Sequence, residues 1–228
     1  MSLAADLVPQ PLAAQPRAAL AKRGKRLAWL TIGWNSLEAV IALVAGAIAG
    51  SVALTGFGVD SLIELTAGGA AIWRLHHDAE PVARQRAELL TRRIIGAAFL
   101  GLALYVGWEA VESLRSRRAP ETSMAGIVLA ALSLLVMPIL ARAKRRVAAG
   151  LSSRALAAEA MQTDVCAWLS AILLGGLLLR AAFGWWWADP VAALAMVPLL
   201  LREGMEGVRG RETCGCGDAC HLPSGSGD

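Results

Sequence analysis

Charge is scarce in this sequence. Asp, Glu, Lys and Arg together make 18% of the 228 residues against 56% hydrophobic ones, and a single Tyr stands beside eight Trp. With a mean hydropathy of +0.53, the chain is too apolar for an ordinary soluble domain of this size. It reads instead as one all-α bundle that crosses a membrane several times. Also missing is any grouping of nucleophile, base and orienting residue at a usable spacing, which weighs against an enzyme. No cleavable signal peptide is evident, because the first apolar run follows a long polar and small-residue stretch and leads directly into a second run. The net charge of +4 needs no nucleic acid to explain it.

What is there is a series of apolar runs. A hydrocarbon core of about 30 Å needs about 20 such residues in a helix. Six spans are predicted, near Leu27–Ala49, Val52–Leu75, Ile94–Leu114, Ala125–Ala141, Ala155–Phe183 and Val191–Arg202. The fourth is expected to be short and to end at Pro138, ahead of the basic run ARAKRR. All Lys and Arg except Arg115, Arg117, Arg118 and Arg180 fall in the N-terminal arm, the second and fourth connections and the tail. The positive-inside rule then puts both termini in the cytoplasm of a multi-pass cell-membrane protein. Trp185, Trp186 and Trp187 fit an outer aromatic belt. The expected divisions are a basic arm over 1–26, the membrane domain over 27–208 and a Cys/His-rich cytoplasmic tail over 209–228.

Inside the second run (SVALTGFGVDSLIELTAGGAAIW, residues 51–73) two acids, Asp60 and Glu64, sit one helical turn apart. A charged residue at the centre of a membrane helix costs about 2.5–3.5 kcal/mol on insertion scales, so both must face the protein interior. Positions four apart point the same way within about 40°, so both carboxylates can reach one ion. The competing reading is that they only cross-link helices by hydrogen bonds. Asn35, Glu38, Glu109 and Glu112 are expected to be structural, the first two bonding across to the site helices and the last two pairing with Arg115. In Asp189-Pro190, Pro suits a first helical turn and Asp caps free amides there.

The run NSLEAVIALVAGAIAGSVALTGFGVDSLIE (residues 35–64) resembles the first two helices of the cation diffusion facilitator family, where Gly-Ser-x-Ala-Leu leads into a metal pair spaced by four. ALYVGWEAVESL, ALSLLVMPIL and WWADPVAALAMVPLLLREG are similar to its third, fourth and sixth helices, in family order. The resemblance covers about residues 27–208. It implies a six-helix transporter exporting divalent metal from the cytoplasm in exchange for protons, with its site between helices two and five. Asp60 and Glu64 fall on the second-helix positions of that site. Helix five departs from the pattern: where the family has an acid and then His-x-x-x-Asp, Glu159 falls on the acid, Gln162 on the His and Cys166 on the Asp.

Helical geometry agrees with that placement. From Glu159, Gln162 is rotated by about −60° and Cys166 by about −20°, while Asp164 lies about 140° away. Asp164 is therefore held in reserve, facing a neighbouring helix or lipid. Cys166 reads as a ligand or as a small packing residue, and Gln162 as a weak neutral ligand or as glue between helices. Glu159 reads as a ligand, a proton carrier or a residue at the helix end.

The tail sequence CGCGDACH places Cys214, Cys216, Cys220 and His221 together, a donor set suited to zinc or a softer metal. His76, His77, Asp78 and Glu80 are the corresponding candidates in a loop, where a solvated surface is the plainer reading. The short tail implies that the cytoplasmic metal-binding domain usual in the family is lacking, and that a homodimer, if formed, uses membrane helices. The expected activity is secondary transport of a divalent metal, zinc first among them, with no resident cofactor. The alternative is a non-transporting membrane protein that binds or senses metal.

Overall fold

The computed structural model describes residues 17–76, 81–151 and 154–209. Six helices follow one another: α1 (Arg17–Ala49), α2 (Val52–His76), α3 (Pro81–Arg115), α4 (Met124–Leu151), α5 (Arg154–Phe183) and α6 (Ala188–Arg209). No strand occurs among the described residues. The apolar runs form helices because a backbone deprived of water must satisfy its amides and carbonyls within the segment. By length and composition, Ala19–Ala49, Arg93–Arg115, Met124–Leu151 and Glu159–Phe183 can each cross a membrane. Of the other two helices, α2 carries the acids at 60 and 64, and α6 ends in a charged stretch holding Arg202, Glu203, Glu206 and Arg209. Large apolar side chains such as Leu104, Trp108, Leu135 and Trp168 stay exposed on the rim, as a lipid-facing surface requires.

The helices pair mainly as α1 with α2, α4 with α5, and α3 with α6. Their shared core is built from Leu54, Phe57, Met137, Leu169, Leu173, Met196 and Leu200, all fully buried. The α1–α2 connection is a tight turn through Gly50, whose φ of 65° lies in the left-handed region that favours glycine. Along the α3–α6 seam a Cβ on Gly96 would stand 2.6 Å from the Val208 amide nitrogen and 2.8 Å from the Gly204 carbonyl oxygen. Backbone meets backbone there, the packing that small residues permit between membrane helices.

Several elements run beyond their sequence expectation. Helices α1 and α3 begin at Arg17 and Pro81, so residues 17–26 of the expected basic arm are helical and α3 starts well before its apolar run. Helix α4 does not end at Pro138 but continues to Leu151. Proline removes one amide donor and crowds the carbonyl of Leu134, yet a bundle tolerates this where neighbouring helices hold the segment. Beyond it the Ala, Arg and Lys residues favour helix, and Lys144, Val147 and Ala148 are buried.

Asp189 does something other than cap its own helix. One carboxylate oxygen accepts a short hydrogen bond from Ser51 Oγ, and the other accepts from the amides of Val52 at 2.9 Å and Ala53 at 3.5 Å. Ser51 Oγ in turn accepts from the Leu54 amide at 3.1 Å. Asp189 thus caps α2 from α6, because the first amides of α2 lack intrahelical partners and attract an anion. Nearby, the Glu121 amide donates to the Ala49 carbonyl at 2.7 Å and Arg180 Nε donates to the Pro120 carbonyl at 3.0 Å. Glu109 pairs with Arg118 at 3.1 Å rather than with Arg115. Trp185 stacks between Phe183 and Trp187 at ring separations of 5.2 and 4.8 Å.

Candidate metal centre

Asp60 and Glu64 face the bundle interior from adjacent turns of α2, 1% and 8% exposed. Cys166 meets them from α5, fully buried. One ligand atom from each of the three lies within 4.8 Å of the others, and they form the one group of at least three His, Cys, Asp or Glu residues so arranged among the described residues. Helical spacing accounts for the convergence: a separation of four keeps the two acids on one face.

Helix α1 supports this centre. Asn35 Nδ2 donates to Glu64 Oε2 at 2.8 Å, fixing that carboxylate. Glu38 accepts from Ser61 Oγ at 3.0 Å and, through a short bond, from Ser133 Oγ, and its Oε2 lies 4.0 Å from Cys166 Sγ. Glu38 thus joins α1 to α2, α4 and α5. Two polar atoms at the centre, Asp60 Oδ2 and Asn35 Oδ1, are buried without a hydrogen-bond partner. A buried oxygen left so is expensive unless something polar or charged completes it. Carboxyl groups and a thiol crowded into a dry interior repel one another when ionised, so a cation or protons relieve the arrangement.

The remaining candidates are placed as follows. Asp164 points away from the cluster and forms an ion pair with Arg145 of α4. Glu159 lies outside the cluster, with Oε2 at 3.8 Å from Lys144 Nζ. Gln162 is half-buried on α5, one turn before Cys166. Of the three α5 residues expected on one face, Cys166 is the one brought to the acids. Cys214, Cys216, Cys220 and His221 lie outside the described residues, as do His77, Asp78, Glu80 and the side chain of His76.

One residue was missed. Lys144 belongs to the run ARAKRR and counts in the sequence as a loop cation, yet it is 3% exposed and donates from Nζ to Thr163 Oγ1 at 3.1 Å. The available signal was position: Ala141, Lys144 and Ala148 share one helical face, which shows only once α4 is known to run through Pro138.

Comparison with known proteins agrees with this architecture. A similar protein, an uncharacterized transporter of Synechocystis sp., is 32% identical over 186 residues, covering 77% of this chain and 59% of the relative. The chain therefore spans about three fifths of that relative's length. The family model for the cation efflux transmembrane domain matches residues 28–209, which take in nearly all of the six helices and every member of the buried cluster. With so much of its length matched, this multi-pass membrane chain belongs to the cation efflux family.

Proposed function

We propose that the chain carries a divalent transition metal, zinc first among them, out of the cytoplasm in exchange for protons. The observation that carries this reading is the buried meeting of Asp60, Glu64 and Cys166, with donor atoms within 4.8 Å of one another. Two carboxylates and one sulfur suit a borderline ion such as zinc, and also cadmium, better than magnesium or manganese, which favour oxygen alone. Zinc prefers four ligands, and a transport site gains from supplying fewer than a closed structural site does, because cargo must leave as well as bind.

Each residue has a part in the cycle. Asp60 and Glu64 replace water around the arriving ion, and their negative charge offsets its dehydration. Cys166 adds a soft donor from the facing helix. Asn35 orients Glu64, and Glu38 links Cys166 to α1, α2 and α4. Protons and metal compete for the same oxygens and sulfur, so loading from one side and protonation from the other couple the two gradients. The basic ends of α1, α4 and α6 face the cytoplasm in this reading, by the positive-inside rule.

The test is zinc flux. Purified protein in liposomes with an inward-directed zinc gradient and an opposing proton gradient should take up zinc, and collapsing the proton gradient with an uncoupler should slow the uptake. Zinc binding without any flux would leave a membrane metal-binding protein and exclude a transporter.

A further inference from the structure

Lys144 is a base sealed inside the bundle beside an acidic centre. Its neighbour Arg145 turns outward, half-exposed, to pair with Asp164. Lys144 turns inward, to Thr163 Oγ1 at 3.1 Å and Glu159 Oε2 at 3.8 Å. Among the residues whose side chains are described it is the one buried base, whereas Glu38, Asp60, Glu64 and Asp189 are buried acids. Asp189 is engaged at the far end of α2. Among the residues whose side chains are described, no other buried positive charge faces the three acids of the centre.

Placement along α5 ties the lysine to the metal ligands. Glu159, Thr163 and Cys166 lie on one face, within about 60° of each other. Thr163 precedes Cys166 by about 4.5 Å along the helix axis. Through its bond to Thr163, Lys144 Nζ stands less than one turn of α5 from Cys166, close enough in a dry interior for its charge to act on the centre. A lysine stem is long and flexible and its ammonium is a compact point charge, so it can lean toward either Glu159 or the centre.

We propose that Lys144 is a tethered cation that competes with the transported metal for the buried carboxylates and so sets how tightly the centre holds its cargo. This rests on the metal-transport reading above. With the centre empty, the ammonium offsets part of the acids' charge. When a dication loads, the two positive charges repel in a medium of low dielectric, the lysine is confined to its place beside Glu159 and Thr163, and the bound state is raised in energy. The lysine thereby weakens binding and speeds release, as a carrier that must let go of its ion requires.

The test uses the full chain in detergent, with zinc affinity measured by competition against a chromophoric chelator, and in liposomes, with zinc flux followed over a range of concentrations. Lys144→Met should bind zinc tighter by about tenfold or more, from the loss of one buried like charge. Its flux should half-saturate at lower zinc and reach a lower maximal rate. Lys144→Arg, which keeps the charge, should stay near the wild type. Lost packing alone predicts the opposite, weaker binding. Lys144→Gln, which retains a donor for Thr163, carries the test if the Met variant does not fold. Unchanged or weaker zinc binding in the folded neutral variants, with Asp60→Asn still abolishing it, overturns the lysine's role and leaves the metal centre standing. Zinc binding that survives Asp60→Asn overturns the centre itself and this proposal with it.

Discussion

Asp60 and Asp189 are equally buried, each 1% exposed, yet they sit in opposite surroundings. Asp189 accepts from a serine hydroxyl and two backbone amides at the start of α2. Asp60 has an oxygen without any partner and stands among other acidic groups. A buried acid whose oxygens are filled by fixed donors holds the fold together, and its charge is already spent. One left unfilled is costly to the fold and persists where something outside the chain completes it. Burial alone does not separate a structural acid from a functional one; the partner inventory does.

That contrast is broken or sharpened by substitution. The largest effect is expected at the centre: Asp60→Ala should abolish zinc flux in liposomes, because a ligand lost inside the bundle has no substitute there, while protein stays in the membrane with its melting temperature kept or raised. Full flux from this variant would erase the distinction. Asp189→Ala should do the reverse, lowering stability by about 2–4 kcal/mol as the amides of Val52 and Ala53 and the Ser51 hydroxyl lose a charged acceptor. Thermal unfolding in detergent measures it, and the folded fraction should bind zinc with wild-type affinity. A smaller, graded change is expected from Cys166→Asp, which replaces the soft donor by a hard one. The ranking of ions in competitive uptake should move from zinc and cadmium toward manganese by about one order of magnitude in relative rate. An unaltered ranking would mean that the thiol packs against Glu38 and does not touch the ion.

Much of this was readable from residue spacing. The apolar runs locate six helices, and periods of 3.6 residues bring Asp60 beside Glu64 and turn Cys166 and Asp164 to different faces of α5. These are local facts, and helical geometry carries them. What sequence could not carry was partnership across the bundle. Asp189 looks like the cap of its own helix because its true partners, the amides of α2, stand 136 and 137 residues away. Pro138 looks like a stop because proline ends helices in water, whereas here neighbouring helices hold α4 on both sides of it. The error at Pro138 then hid Lys144, which resembles any other base in ARAKRR until its helix is extended. Likewise Glu38 and Asn35 could be assigned to helix bonding, but not to particular residues of the centre.

The turn at Gly50 has a consequence for how the chain is made. It folds α1 back on α2 with almost no connecting residues, so the two helices leave the ribosome as one hairpin. Within that hairpin two side-chain bonds join α1 to α2, Asn35 to Glu64 and Ser61 to Glu38. Later helices contribute Ser133, Cys166 and Asp189. The insertion machinery therefore meets the acids of the second span with part of their hydrogen bonding already supplied by the first. Pairwise entry into lipid lowers a penalty that α2 would face in full if it arrived alone. In a translocation assay of the isolated hairpin, Asn35→Leu should reduce insertion of the second span even though it makes the first more apolar.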